Sequence, residues 1–192
     1  MLTANEKRIK RVFDVSFAII CLFVLGWLVL FMSIVSKVWI KGNGFFRQKR
    51  VGQYGNLFTI YKIETIHPKE AKKENPKITR LGKFLRKYKL DELPQLWNVL
   101  VGTMSFVGPR PDFQIFLDKL NDNEKIILSV KPGITGPATL HFQNEEELLK
   151  NQEKPKIYNE EVIWPQKVKM NIDYINEYCF INDIYYIFKT FI

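Results

Sequence analysis

VSFAIICLFVLGWLVLFMSIVS, residues 15–36, carries no charge over 22 positions. As a helix it would rise roughly 33 Å, against about 30 Å for the hydrocarbon core of a bilayer. Backbone polar groups in lipid need internal partners, which makes helix the default there. A cleaved secretory leader fits poorly. The run exceeds the usual apolar region of about 7–15 residues, and no A-x-A site follows it. A core helix of a water-soluble protein would show a polar face, and this one has none. The stretch predicts a membrane-inserted part over residues 1–41 and one further domain over residues 42–192.

Both flanks of the run are basic. Lys7, Arg8, Lys10 and Arg11 precede it; Lys37, Lys41, Arg47, Lys49 and Arg50 follow. Positive charge favours the cytoplasmic side of a membrane, so both ends ask for the same side. A straight span would carry one cluster across. A helix that bends at Gly26-Trp27 and returns would satisfy both. The segment has no proline, and physics alone ranks the straight span first. Asp14 borders the apolar run, where a carboxylate needs a partner. Arg11, three residues earlier on the same helical face, is the expected one, with headgroup contact as the alternative.

The chain holds 29 basic and 20 acidic residues among 192, a net charge of +9. Such a balance beside a membrane suits anionic headgroups, phosphorylated ligands or nucleic acid. No RNP, KH or zinc motif supports nucleic acid. Cys21 and Cys179 read as small hydrophobes in a reducing compartment. His67 and His141 belong to no metal-ligand spacing, which argues against zinc.

Beyond residue 42 the pattern predicts an α/β fold, rich in helix with a small β-hairpin. Residues 45–48 and 57–62 read as strands around the turn-forming VGQYGN. Residues 67–77 form a charged loop. Residues 78–88 make a basic amphipathic helix of the kind that lies on a membrane surface. Residues 93–101 form a helix with Pro94 in its first turn and Gly102 at its end. Gly108-Pro109-Arg110-Pro111 and residues 131–136 read as rigid turns. Residues 112–129 read as helix, and residues 144–154 as an exposed helix or loop. The aromatic-rich tail from Tyr158 divides evenly between membrane interface and core.

The sharpest chemical feature is LDELPQ at 90–95. Asp91 and Glu92 stand at a helix start, close to Arg80, Lys83, Arg86, Lys87 and Lys89. Helix N-termini favour acids, so capping alone accounts for them on spacing. The functional reading makes one acid a nucleophile or metal ligand and the other its assistant, with cations holding a phosphorylated substrate. Two carboxylates with substrate phosphates suit Mg²⁺. Arg110 between two prolines is aimed by a fixed backbone and suits phosphate. Lys62, at a predicted strand end, faces either a site or water.

Four blocks fall in one order: KRVFDV at 10–15, FFRQKRVGQYGNLFTIYK at 45–62, ITRLGKFLRKYKLDELPQLWNVLVGTMSFVGPRP at 78–111 and KPGITG at 131–136. Together they resemble the bacterial sugar transferase family, the monotopic phosphoglycosyl transferases, from about Arg8 onward. The resemblance implies transfer of a sugar-1-phosphate from a UDP-sugar to undecaprenyl phosphate at the cytoplasmic face of the bacterial inner membrane. It implies Asp91 as nucleophile, forming a covalent phosphosugar intermediate. Glu92 assists proton transfer, and both acids hold Mg²⁺. Lys62, Arg80, Arg86, Arg110 and Lys131 fall in the matching blocks as substrate-binding residues. The resemblance further implies a re-entrant membrane helix, interfacial amphipathic helices and contact with other glycan-assembly enzymes. This chain departs from the family pattern in three places. Gly26-Trp27 stands where relatives carry Ser-Pro, Glu64 where they carry arginine, and Gln143 near another expected arginine. The rival reading is a non-catalytic, membrane-tethered basic module that binds anionic lipid or scaffolds glycan enzymes.

Overall fold

The computed structural model describes residues 2–70, 73 and 77–190. Of the loop expected over 67–77, positions 71, 72 and 74–76 lie outside the described residues. The chain packs as two compact units. One comprises Phe13–Arg50 and Phe58–Gly102, here the hairpin unit; the other comprises Met1–Val12, Val51–Leu57 and Thr103–Ile192, here the tail unit. The fold is α/β in a helix-rich form, with two small sheets among the described residues.

Helix α1 (Ala4–Ile40) is 37 residues long and stays helical through Gly26. A capping box starts it: the Thr3 amide donates to Glu6 Oε2 at 2.7 Å, and the Glu6 amide donates to Thr3 Oγ1 at 3.3 Å. It ends where Lys41 turns left-handed, φ 56°. Within the hairpin unit its buried stripe is Asp14, Ala18, Val29, Ser33, Ser36 and Ile40, roughly at i, i+4 spacing. The large apolar side chains point outward instead, and Phe23 is 88% exposed. Exposed apolar surface of this extent marks contact with a membrane or another protein.

Strands β1 (Phe45–Val51) and β2 (Leu57–Ile63) pair as the expected hairpin. The expected basic helix is α2 (Arg80–Lys87), whose N-terminus is capped by Thr79 Oγ1 accepting the Gly82 amide at 3.0 Å. Helix α3 (Gln95–Val101) ends at Gly102 in the left-handed region, φ 87°. Buried Asn98 ties α3 to β2: its side-chain amide donates to the Thr59 carbonyl at 2.8 Å, and its Oδ1 accepts the Tyr61 amide at 3.3 Å. Ile60, Ile63, Leu85, Leu96 and Val99 close the core of this unit.

In the tail unit two expectations are corrected. The expected turn over 131–136 contains a strand: β4 (Gly133–Thr135) runs parallel to β3 (Ser105–Val107), which directly precedes Gly108, pairing Ser105 with Gly133 and Val107 with Thr135. The backbones approach so closely that a Cβ on Gly133 would collide with Gly108. Residues 112–129 are not one helix. Helix α4 (Gln114–Leu117) stops, and a 3₁₀ segment begins at Glu124. Asn121 and Glu124 cap each other, amide to side chain in both directions, and so start a new element there. Short helices α5 (Pro137–His141), α6 (Glu145–Lys150) and α7 (Pro155–Tyr158) follow, then α8 (Trp164–Asn176) and α9 (Phe180–Lys189). The tail aromatics divide: Tyr174 is buried, whereas Tyr185 and Phe188 on α9 are exposed.

Candidate active site

The hairpin unit builds a compact acidic and basic cluster from three of its elements. Between α2 and α3 the chain turns at Lys89, a non-glycine residue in the left-handed region at φ 54°. That conformation costs on the order of 1 kcal/mol. It places Leu90–Glu92 in a single 3₁₀ turn, with Asp91 buried and Glu92 half-buried. Lys62, near the end of β2, donates to Glu92 Oε1 at 2.6 Å. Arg86 on α2 is held by a bond from its Nε to Thr65 Oγ1 at 3.1 Å. Thr65 is itself fixed, because its carbonyl accepts both the amide and the hydroxyl of Thr79.

Burial raises the Asp91 pKa above the ordinary carboxylate range. The charge of Glu92 adds to the rise, while Lys62 and Arg86 act against it. An N-capping carboxylate is stabilised in its charged form, and its pKa falls. The residue preceding α3 is Pro94, and no side-chain bond caps that helix. Asp91 is a buried acid held against a second acid between two positioned cations.

Because the folded-state pKa of Asp91 is raised, its ionisation opposes folding. Its favourable contribution is present below the unfolded-state pKa and is lost as pH rises through the folded one. In metal-free buffer with EDTA, Asp91→Asn should therefore melt above the wild type at neutral pH, with the gap closing as pH falls. A gap that widens on acidification would contradict this.

The other expected residues fall elsewhere. Arg80 begins α2 and is exposed. Arg110 and Lys131 belong to the tail unit. Arg110 rims a small, mostly apolar cavity of about 40 Å³ lined by Pro111, Phe113, Phe116, Leu120 and Trp164. That is room for only a few waters. Lys131 directly precedes the turn into β4. Gln143 is exposed. Glu64 is tied by hydrogen bonds to residues just after α1 and is not turned toward the acids' cations: its Oε2 accepts the Asn43 amide at 2.7 Å. Sequence reading missed Thr65, since a threonine after a strand gives no sign that it will meet an arginine 21 positions on.

A family model described as bacterial sugar transferase matches residues 5–192. The chain belongs to the bacterial sugar transferase family. Among similar sugar transferases, EpsL of Bacillus subtilis is 33% identical over 92% of this chain and 82% of its own. The galactosyl transferase CpsE of Streptococcus agalactiae is 34% identical over 94% of this chain and 41% of its own. The UDP-glucose:undecaprenyl-phosphate glucose-1-phosphate transferase of Escherichia coli is 30% identical over 98% of this chain and 40% of its own. The chain thus spans most of EpsL but about two fifths of the other two sugar transferases.

Proposed function

We propose that this sugar transferase moves a sugar-1-phosphate from a UDP-sugar to undecaprenyl phosphate, with Asp91 as the nucleophile. The observation that carries the reading is the buried Asp91 beside Glu92, with Lys62 and Arg86 anchored around them. The E. coli relative, named for this reaction with UDP-glucose, supports the substrates.

In the first step an Asp91 carboxylate oxygen attacks the β-phosphorus. The bond from that phosphorus to the bridging oxygen breaks, and UMP leaves with the electron pair. In the second step an oxygen of the lipid phosphate attacks the same phosphorus, and the bond to Asp91 breaks. Carboxylate is restored and a polyprenyl diphosphate-sugar forms. Splitting the transfer lets each anion approach separately. Glu92 takes the proton when the lipid phosphate arrives protonated, and Lys62 holds Glu92 in place for it. Arg86, oriented by Thr65, and Arg80 meet phosphate charge.

Asp91 and Glu92 fit Mg²⁺: they supply the oxygen donors it prefers, and their mutual repulsion is what a divalent cation offsets. No cluster of three His, Cys, Asp or Glu side chains occurs among the described residues, so water and substrate phosphates would complete the shell. When bound, the ion would neutralise diphosphate charge. EDTA is expected to stop UMP release and added Mg²⁺ to restore it. Full turnover in EDTA would remove the metal from the account.

Residues 1–41 enter the membrane and residues 42–192 work at its cytoplasmic face. The outward apolar surface of α1 and its two basic flanks support this placement. A re-entrant course would keep both flanks on one side, with any bend made inside continuous helix. Exposed Phe84 and Tyr88 near Lys83 and Lys87 suit α2 to the interface, as do Ile181, Tyr185 and Phe188 on α9.

A further inference from the structure

Glu64 stands where the resemblance leads one to expect an arginine, and the hairpin unit gives it a different employment. Three of its groups engage the end of α1. Its amide donates to the Gly44 carbonyl at 3.0 Å, and its carbonyl accepts the hydroxyl of buried Ser36 at 2.7 Å. Its carboxylate accepts the Asn43 amide at 2.7 Å. Any residue but proline could make the first two bonds; the third needs a side chain long enough to carry an acceptor oxygen to Asn43. The carboxylate also lies flat against Gly42, where a Cβ would collide with it. Gly44 takes a left-handed conformation, φ 81°, packed against Ser33. The chain leaving α1 is therefore moulded around one side chain.

The residues on either side of Glu64 reach the site. Two positions earlier, Lys62 holds Glu92. One position later, Thr65 holds Arg86. A stretch of four residues thus joins the exit of the membrane-inserted helix to both cations flanking Asp91. We propose that Glu64 is a positioning residue for the transfer reaction: its carboxylate clamps the α1 exit loop to the strand bearing Lys62 and so keeps the acid pair in register with the membrane helix. This rests on the phosphoglycosyl transferase reading.

The consequence is a chemical step that depends on a side chain with no substrate contact. Glu64→Ala is expected to lower kcat about tenfold while KM for the UDP-sugar stays within about twofold, since misplaced groups slow chemistry more than binding. Glu64→Gln keeps an oxygen acceptor for the Asn43 amide and should recover most of the rate. Hydrogen exchange at the Asn43 amide should be slow in the wild type and in Glu64→Gln, and fast in Glu64→Ala. An independent variant guards against simple misfolding. Gly42→Ala should displace the carboxylate and reproduce the kcat loss, and adding it to Glu64→Ala should cost little more, because the colliding group is gone. The clamp is overturned by an active wild type that Glu64→Ala matches, by unchanged Asn43 exchange in Glu64→Ala, or by losses that simply add in the double variant. A wild type that releases no UMP from any UDP-sugar would refute the reaction instead, a result distinct from all of these.

Discussion

Asp91→Asn is expected to reduce UMP release by on the order of a thousandfold or more, because removing a nucleophile removes the first step itself. The change is nearly isosteric and keeps the 3₁₀ turn at Leu90–Glu92, so loss of fold is not the cause. Stability moves the other way, with the inactive variant melting higher at neutral pH in EDTA. Activity and stability moving in opposite directions is the signature of a buried acid retained for chemistry. The measurement is UMP release from a panel of UDP-sugars with undecaprenyl phosphate. A non-catalytic lipid-binding module would show no release in either protein and unchanged membrane binding.

Asp183→Ala is expected to destabilise the tail unit by about 3–5 kcal/mol. Lys10, near the start of α1, donates to Asp183 Oδ2 on α9 at 2.5 Å, and both side chains are buried. Asp183 also accepts the hydroxyls of Tyr174 at 2.7 Å and Tyr178 at 3.2 Å. Truncating it leaves a buried ammonium and two hydroxyls without their acceptor. A Lys10→Met, Asp183→Ala double variant should recover much of the loss, since the stranded charge is gone. Melting in detergent checks both. Equal loss in the single and double variants would mean that the ion pair contributes nothing specific.

Much of this was legible in the sequence where the cause is local. The long apolar helix α1 followed from an uncharged run, α2 from its basic amphipathic spacing, and the end of α3 from Gly102. The hairpin followed from VGQYGN between two apolar runs. What escaped depends on partners distant in the chain. The β3–β4 pair joins segments 28 positions apart, and each strand is only three residues long; β4, between Pro132 and Gly136, reads as a turn when alone. The break in 112–129 hid in two residues that cap one another. At the site, LDEL marked the acids, but spacing could not separate capping from catalysis. The structure adds that Asp91 is buried and that α3 carries no side-chain cap, which argues against capping as its whole role. The roles of Thr65 and Glu64 were invisible, because each is defined by what it touches on another element.

The account's central claim is a phosphosugar carried on residue 91. The most direct measurement incubates the purified protein with UDP-sugar labelled at the β-phosphate, without lipid acceptor, and maps the label by peptide analysis. The account predicts one labelled peptide containing Asp91, no label in Asp91→Asn, and transfer of the label to undecaprenyl phosphate once it is added. Turnover by a protein that never carries label, or label mapping to another residue, would contradict it.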